Sequence, residues 1–341
     1  MLRKISLTLS FALFAASSVR AVADEILFNN GDRITGKITN VEGGKMTIDS
    51  KLAGEIKVDM KDVKTFTTDA PIEIRTKDGQ KITAKATADG QGAVNVQPTD
   101  RSGAPAKTIR VDDMKYVNFN EGWTGDVVAG ALFSRGNTYT DQANVSFDLN
   151  RRTEQDRWTF GGQYNFGRQR DPGTGNKSTT TDNWFLTGKY DYFLNEKLYL
   201  FASMRYEHDR IANLDYRLTP GVGVGYQWVD TPALFFNTEA GIAYVCEHFE
   251  DGDSNDFIAG RLAYHLKKEF NDKVSVFHNL EYYPSFERLD DYLIITDAGV
   301  RLTLTKQMFG EYKVEFRYDS TPAQGASRSD LRNIVGLGWK F

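Results

Sequence analysis

Between Trp123 and Phe341, apolar and polar residues alternate over twelve stretches, each long enough for one membrane-crossing strand. The first sets Trp123, Val127, Ala129, Ala131 and Phe133 on one face. The second sets Ala143, Val145, Phe147 and Leu149 against Asn144, Ser146, Asp148 and Asn150. The sixth opposes Leu218, Val222, Val224, Tyr226 and Trp228 to Gly221, Gly223 and Gly225. Pro220 lies in that stretch and cannot donate to a ladder, so it is expected near the strand end or at a bulge. The last stretch places Val335, Leu337, Trp339 and Phe341 on one face, with Gly336, Gly338 and Lys340 on the other. A final strand ending on Phe would leave an aggregation-prone edge on an open sheet. Closure removes the edge, and in a bilayer it is the only form a sheet can take. The pattern predicts an all-β chain whose residues 123–341 form a 12-stranded antiparallel transmembrane β-barrel closed by its last strand.

The connections support this reading. Those after even-numbered strands are short, as at Asn195-Glu196-Lys197 and Asp230-Thr231-Pro232. Most of the others are longer and polar: Asp171–Asn183, Glu247–Asp256 and Asp319–Asp330. Short turns at one end and long loops at the other match the periplasmic and extracellular ends of an outer-membrane barrel. In that register Trp123, Trp158, Tyr192, Trp228, Tyr264, Tyr312, Trp339 and Phe341 form one aromatic girdle. Phe166, Trp184, Tyr206, Tyr216, Tyr244, Tyr282 and Tyr292 form the other. Trp123 and Trp339 are expected to meet across the closing seam.

Residues 24–117 read differently. They are rich in Lys, Asp, Thr and Val, lack Trp and contain a repeat. Asn30-Gly31-Asp32-Arg33-Ile34-Thr35 returns as Asp78-Gly79-Gln80-Lys81-Ile82-Thr83, and Ile56-Lys57-Val58-Asp59 returns as Ile109-Arg110-Val111-Asp112. The second copy is longer, with the extra residues at the Thr99–Ala106 loop. Glycine after Asn or Asp supplies the positive φ of a tight hairpin turn. The segment is expected to be a small β domain of two SH3/Sm-like units, followed by a linker at 118–122. An even strand count returns both barrel ends to the periplasm, so this domain is expected there. Upstream, Arg3 and Lys4, an apolar run from Ile5 to Ala16 and Ala21-Val22-Ala23 read as a signal peptide over residues 1–23.

Composition narrows the classes. The chain has 341 residues, one cysteine and a net charge of -4. Its mean hydropathy of -0.47 hides alternating membrane strands, which average out. Cys246 alone excludes an intrachain disulfide. An acidic chain without a basic patch argues against a nucleic-acid partner. The expected partners are outer-membrane lipid and lipopolysaccharide, the barrel-assembly machinery, and a periplasmic or envelope partner for residues 24–117.

Trp123-Thr124-Gly125, Arg135-Gly136-Asn137-Thr138 and the terminal Trp339-Lys340-Phe341, in that order, resemble an uncharacterised domain-of-unknown-function family of outer-membrane β-barrel proteins described as salt-induced. The resemblance covers about two thirds of the chain. It implies an outer-membrane barrel and a link to salt or envelope stress, but no activity. Gly336, Trp339 and Phe341 also resemble the signal read by the barrel-assembly machinery, with Val335 standing where a polar residue is usual.

The chemistry lies on the predicted inner face. Arg205, Arg217, Glu239, Arg261, Glu281, Asp297, Arg301, Glu315 and Arg317 are the candidate lumen-lining residues, with Lys189, Glu207, Lys313 and Arg332 beside them. Arg301 and Arg317 are expected to pair with Glu281 and Glu315. The row reads two ways. It is either a salt-bridged filling or the wall of a narrow pore or binding site for small polar solutes. The inward glycines likewise either free space for a channel or admit Phe201, Phe235 and Phe277. A structural or adaptor role, with the barrel anchoring a partner-binding periplasmic domain, is the alternative function. No catalytic set is expected: His278 faces outward with no Ser beside it, and His208, His248 and His265 are scattered. Asp251, Asp253, Asn255 and Asp256 resemble part of a Ca²⁺ loop but lack its bidentate Glu. No cofactor or metal is expected.

Overall fold

The computed structural model describes residues 23–99, 105–134, 139–171, 173–250, 252–288 and 290–341. The expected leader up to Val22, the Gly136-Asn137 hairpin tip, Asp251 and part of the Thr99–Ala106 loop lie outside the described residues. The chain divides into two compact units, Met1–Phe119 and Asn120–Phe341.

The first unit carries the repeat as two successive sets of elements. The first set is β1 (Asp24–Phe28), β2 (Arg33–Glu42), β3 (Lys45–Ser50), β4 (Gly54–Asp59), a 3₁₀ turn at Met60–Asp62 and β5 (Val63–Thr67). The second is β6 (Ile72–Thr76), β7 (Lys81–Asp89), β8 (Ala93–Pro98), β9 (Lys107–Arg110), a 3₁₀ turn at Val111–Asp113 and β10 (Met114–Val117). In each, the first strand pairs with the second and the fifth. Gly31 and Gly79 hold φ of 89° and 85° at equivalent turns, a backbone region that favours glycine. One apolar core, including Ile26, Ile38, Met46, Ile48, Phe66, Ile74, Val94 and Val96, serves both sets. Alternation therefore acts here as in a soluble sheet, with apolar side chains inward and charges outward.

The second unit is a closed barrel of twelve strands in sequence order. They are β11 (Trp123–Ser134), β12 (Tyr139–Arg152), β13 (Asp156–Arg170), β14 (Lys177–Phe193), β15 (Leu198–Asp209) and β16 (Leu214–Thr231). These are followed by β17 (Leu234–Phe249), β18 (Ser254–Glu269), β19 (Val274–Pro284), β20 (Tyr292–Thr303), β21 (Met308–Asp319) and β22 (Ser329–Lys340). Alternation is inverted here. Val222, Ile242, Leu262, Val335 and Leu337 are exposed, while Arg217, Glu207, Glu239 and Arg261 are buried. Such a barrel is stable only where the outer solvent is hydrocarbon.

Three expectations change. Two of the long loops are mostly strand, because β13 and β14 pair as far as Arg170↔Lys177 and β17 reaches Phe249. Several strands thus exceed the roughly ten residues that a bilayer requires, and β16 has 18. Pro220 sits within β16, neither at an end nor at a bulge. The β16–β17 ladder instead skips Thr219 and Pro220 between Leu218↔Cys246 and Gly221↔Ala243, so no donor is required there. At the seam, Trp339 lies opposite Val127 rather than Trp123. Phe341 exchanges backbone hydrogen bonds with Gly125 at 3.0 and 3.1 Å, and Trp123 packs on Phe160 at 5.8 Å between ring centroids.

Candidate functional site

The barrel interior is filled by ion pairs that alternation alone turns inward. Toward the loop end, Arg217 donates to Glu247, Asp319 and, at 3.1 Å, Glu207. Glu207 also accepts from Arg205 at 2.8 Å and from Arg317 at 2.5 Å. Further along, Glu239 accepts from Lys189, from Arg261 at 2.7 Å and from the Tyr199 hydroxyl at 2.8 Å. Arg261 reaches Glu281 at 3.0 Å, and the Tyr283 hydroxyl donates to the same carboxylate at 2.6 Å. Lys313 pairs with Glu315 at 2.9 Å, and Gln163 joins both. Asp297 accepts from Asn279 at 2.9 Å. Toward the turn end, Arg301 donates to Glu311 at 2.6 Å and to Asp126 at 2.9 Å. The expected pairing of Arg301 and Arg317 with Glu281 and Glu315 is therefore wrong. Arg301 takes its register partner Glu311, and Arg317 reaches across the barrel.

Register explains some of these contacts and curvature explains the rest. Arg217 stands directly opposite both Glu207 and Glu247 on its neighbouring strands. Arg317 and Glu207 lie on β21 and β15, half-way round the ring from each other, so this bond crosses the lumen. Buried charges of this kind hold only when paired and hydrogen-bonded, since desolvation costs several kcal/mol per ion.

The inward glycines admit rings rather than a channel. A Cβ on Gly225 would stand 2.2 Å from the Tyr199 ring, one on Gly338 2.1 Å from Phe309, and one on Gly299 2.3 Å from Phe277. Phe201 does cover Gly223, where a Cβ would meet it at 2.8 Å. Tyr199 and Phe309 were not singled out by sequence, although their parity would have indicated them. Gly336 serves the seam: a Cβ there would lie 2.6 Å from Val128 Cγ1.

Above the Arg217 cluster lies a cavity of about 850 Å³. Its polar wall includes Arg217, Arg317, Arg332, Asp209 and Asp319, and its apolar wall includes Ile211, Leu214, Phe249 and Ile334. One feature escaped sequence reasoning: Asn144, Asn165 and Asn183 stand in register on β12, β13 and β14. Asn144 donates to Asn165 at 2.6 Å and Asn165 to Asn183 at 2.8 Å, and Arg332 closes the ladder on Asn183 at 3.1 Å. Asn144 Oδ1 is buried and has no hydrogen-bond partner among the described residues. Three inward Asn at matching depth were the available signal, but their depth requires the register.

The remaining candidates resolve into structural roles. Asn255 and Asp256 belong to β18; Asn255 donates to Glu247 at 3.1 Å, and Asp256 accepts from the Glu247 backbone at 3.2 Å. No cluster of three His, Cys, Asp or Glu side chains that could hold a metal ion occurs among the described residues. His265 approaches Asn279 at 3.1 Å. His278, on the outer wall, is spanned by the Tyr264 hydroxyl at 2.6 Å and Thr296 Oγ1 at 3.2 Å.

Residues 127–341 match the family model described as "Protein of unknown function, DUF481". Trp123-Thr124-Gly125 precedes the matched span. The NanC porin is 10% identical over 64% of this chain and all of its own, with a TM-score of 0.41. The translocator domain of the autotransporter NalP from Neisseria meningitidis is 12% identical over 64% of this chain and 87% of its own, at 0.36. The KdgM porin is 12% identical over 64% and 99%, at 0.34. No curated protein matches the chain. The matched span covers all but the first few residues of the closed barrel, and the chain belongs to the DUF481 family.

Proposed function

We propose that this protein is an outer-membrane barrel that binds a small polar-headed molecule at its loop-end mouth and does not act as an open pore. The bond that carries this reading is Arg317 to Glu207, which joins opposite walls beneath the 850 Å³ cavity. A volume of this size suits a drug-sized ligand. Below it, ionic and aromatic groups fill the lumen. The proposed topology puts the cavity at the cell exterior and residues 24–117 in the periplasm. Gly336, Trp339 and Phe341 are proposed as the part read by the assembly machinery, and residues 1–23 as a cleaved leader.

Planar-bilayer conductance of the full-length protein tests the closed lumen. The wild type should pass no steady current, and Arg217→Ser with Arg317→Ser should introduce one. A steady ohmic current in the wild type would overturn the reading. Topology is tested by Ile211→Cys in a Cys246→Ser background on intact cells. A membrane-impermeant maleimide should label position 211, and failure to label a folded barrel would refute an exterior mouth.

A further inference from the structure

The closing seam is paired along only part of its length. β11 and β22 run in register from Asp126↔Lys340 to Ala129↔Leu337, with Phe341 on Gly125 below. Beyond Ala129 the ladder stops. Yet β11 continues to pair with β12 as far as Ser134↔Thr140, and β22 with β21 as far as Tyr318↔Ser329. Each strand is thus held on its far side, but beyond the close packing of Gly130 on the Val335 backbone the two form no ladder across the seam. The mouth cavity extends into this gap: Gly130, Ala131 and Leu132 of β11 line it, as do Leu331 to Val335 of β22. The lining includes residues of inward parity, such as Leu132 and Ile334, and residues of outward parity, such as Ala131, Leu331 and Val335. The cavity therefore reaches both strands of the seam where their ladder has ended. Its lips are apolar, with Leu132, Leu331 and Val335 exposed at 58%, 62% and 70%.

We infer that the seam between β11 and β22 is a lateral portal through which a single-chain amphiphile enters the mouth cavity from the outer leaflet. Two observations define the head group. Arg332 ends the Asn ladder, and Arg328, an exposed cation without a carboxylate partner among the described residues, lines the same cavity. Arg332 already pairs with Asp330 and, at 3.3 Å, with Asp209, so an anionic group matches Arg328. Among the described residues the buried Asn144 Oδ1 lacks a donor, and a hydroxyl on the head supplies one. A phosphate, a hydroxyl and one acyl chain together describe lysophospholipid chemistry. Ile211, Leu214 and Phe249 inside, and Leu331 and Val335 at the lips, supply apolar walls for the chain. An unpaired seam in hydrocarbon is costly for its backbone groups, and a polar-headed lipid lying in the gap offsets that cost.

This proposal rests on the mouth-binding reading, and the test separates the two. The full-length Cys246→Ser protein is reconstituted in liposomes with lysophosphatidylglycerol bearing a diazirine on its acyl chain. Photolabelled peptides are then mapped. Labelling is expected on segments holding Leu214 and Phe249, inside the barrel, as well as on the outer wall at Val222. Leu132→Cys with Ile334→Cys, which would face each other if the ladder continued, locks the gap as a disulfide. Interior labelling should then be lost, outer-wall labelling kept, and reduction should restore the first. Interior labelling that survives the lock means entry through the aqueous mouth, which overturns the portal and leaves mouth binding intact. The same head group on a short water-soluble diazirine chain provides the second arm. If it labels the interior where the long-chain probe does not, the portal fails alone. If neither probe labels the interior, both readings fail.

Discussion

The two units of this chain apply one rule to opposite solvents. In β1–β10, alternation buries Ile38, Ile48, Phe66 and Val96 and leaves lysines and aspartates outside. In β11–β22, it buries Arg217, Glu207 and Glu239 and leaves Val222, Ile242 and Leu337 outside. The strand period is two in both. What differs is which face is continuous with water, so the N-terminal unit draws cohesion from the hydrophobic effect and the barrel interior from paired charge. A hydrophobic core tolerates small changes of shape, whereas an ionic core fails when a single partner is lost.

The comparison breaks first at Arg217. Replacing it with Met leaves Glu207, Glu247 and Asp319 without their shared cation. The expected loss is about 3–5 kcal/mol, measured by urea unfolding of the barrel in lipid vesicles. A loss below 1 kcal/mol would mean that water already solvates the cluster. The next largest effect is expected on the outside. Val222→Arg should cost about 2–4 kcal/mol near the bilayer midplane, whereas Leu52→Arg in the fully exposed β3–β4 turn should change stability by less than about 0.5 kcal/mol. Equal effects at the two positions would remove the claim that the units face different solvents. Gly225→Ala drives a methyl into the Tyr199 ring and should cost about 1–3 kcal/mol. Adding Tyr199→Leu to it should recover part of the loss in the same assay.

The smallest effect concerns acid and is confined to the N-terminal unit. Burial raises the Glu73 carboxyl, but hydrogen bonds from Lys81 and Arg75 outweigh it and hold the group below its ordinary 4.5. A depressed folded value contributes stability above pH 4.5, and that stability is lost as pH falls through the folded value. Glu73→Gln should flatten this limb of the pH–stability curve for the first unit and leave the barrel transition unchanged. An unaltered limb would assign acid sensitivity to other carboxylates.

Much of this was legible beforehand because strand alternation is local. Twelve strands, inward charge, the closing strand ending on Phe341 and the repeat in residues 24–117 all follow from spacing two and from turn chemistry. Partner choice was not legible. Arg301 and Arg317 were matched to the wrong carboxylates because inward parity says nothing about depth or about the far wall. The Asn144–Asn165–Asn183 ladder was missed for the same reason. Pro220 was misjudged because a ladder can lapse for two residues without a bulge. Loop lengths were overestimated because polar hairpins above the bilayer keep pairing after alternation fades.

The sequence by itself determined which side of each strand faces lipid, since that depends on parity alone. The tertiary structure decided that the lumen is crossed by Arg317 and Glu207, that aromatic rings occupy the space over the glycines, and that the seam stops pairing at Ala129. Each of these depends on shear and curvature, which bring distant strands to a common depth and are set by all twelve strands together.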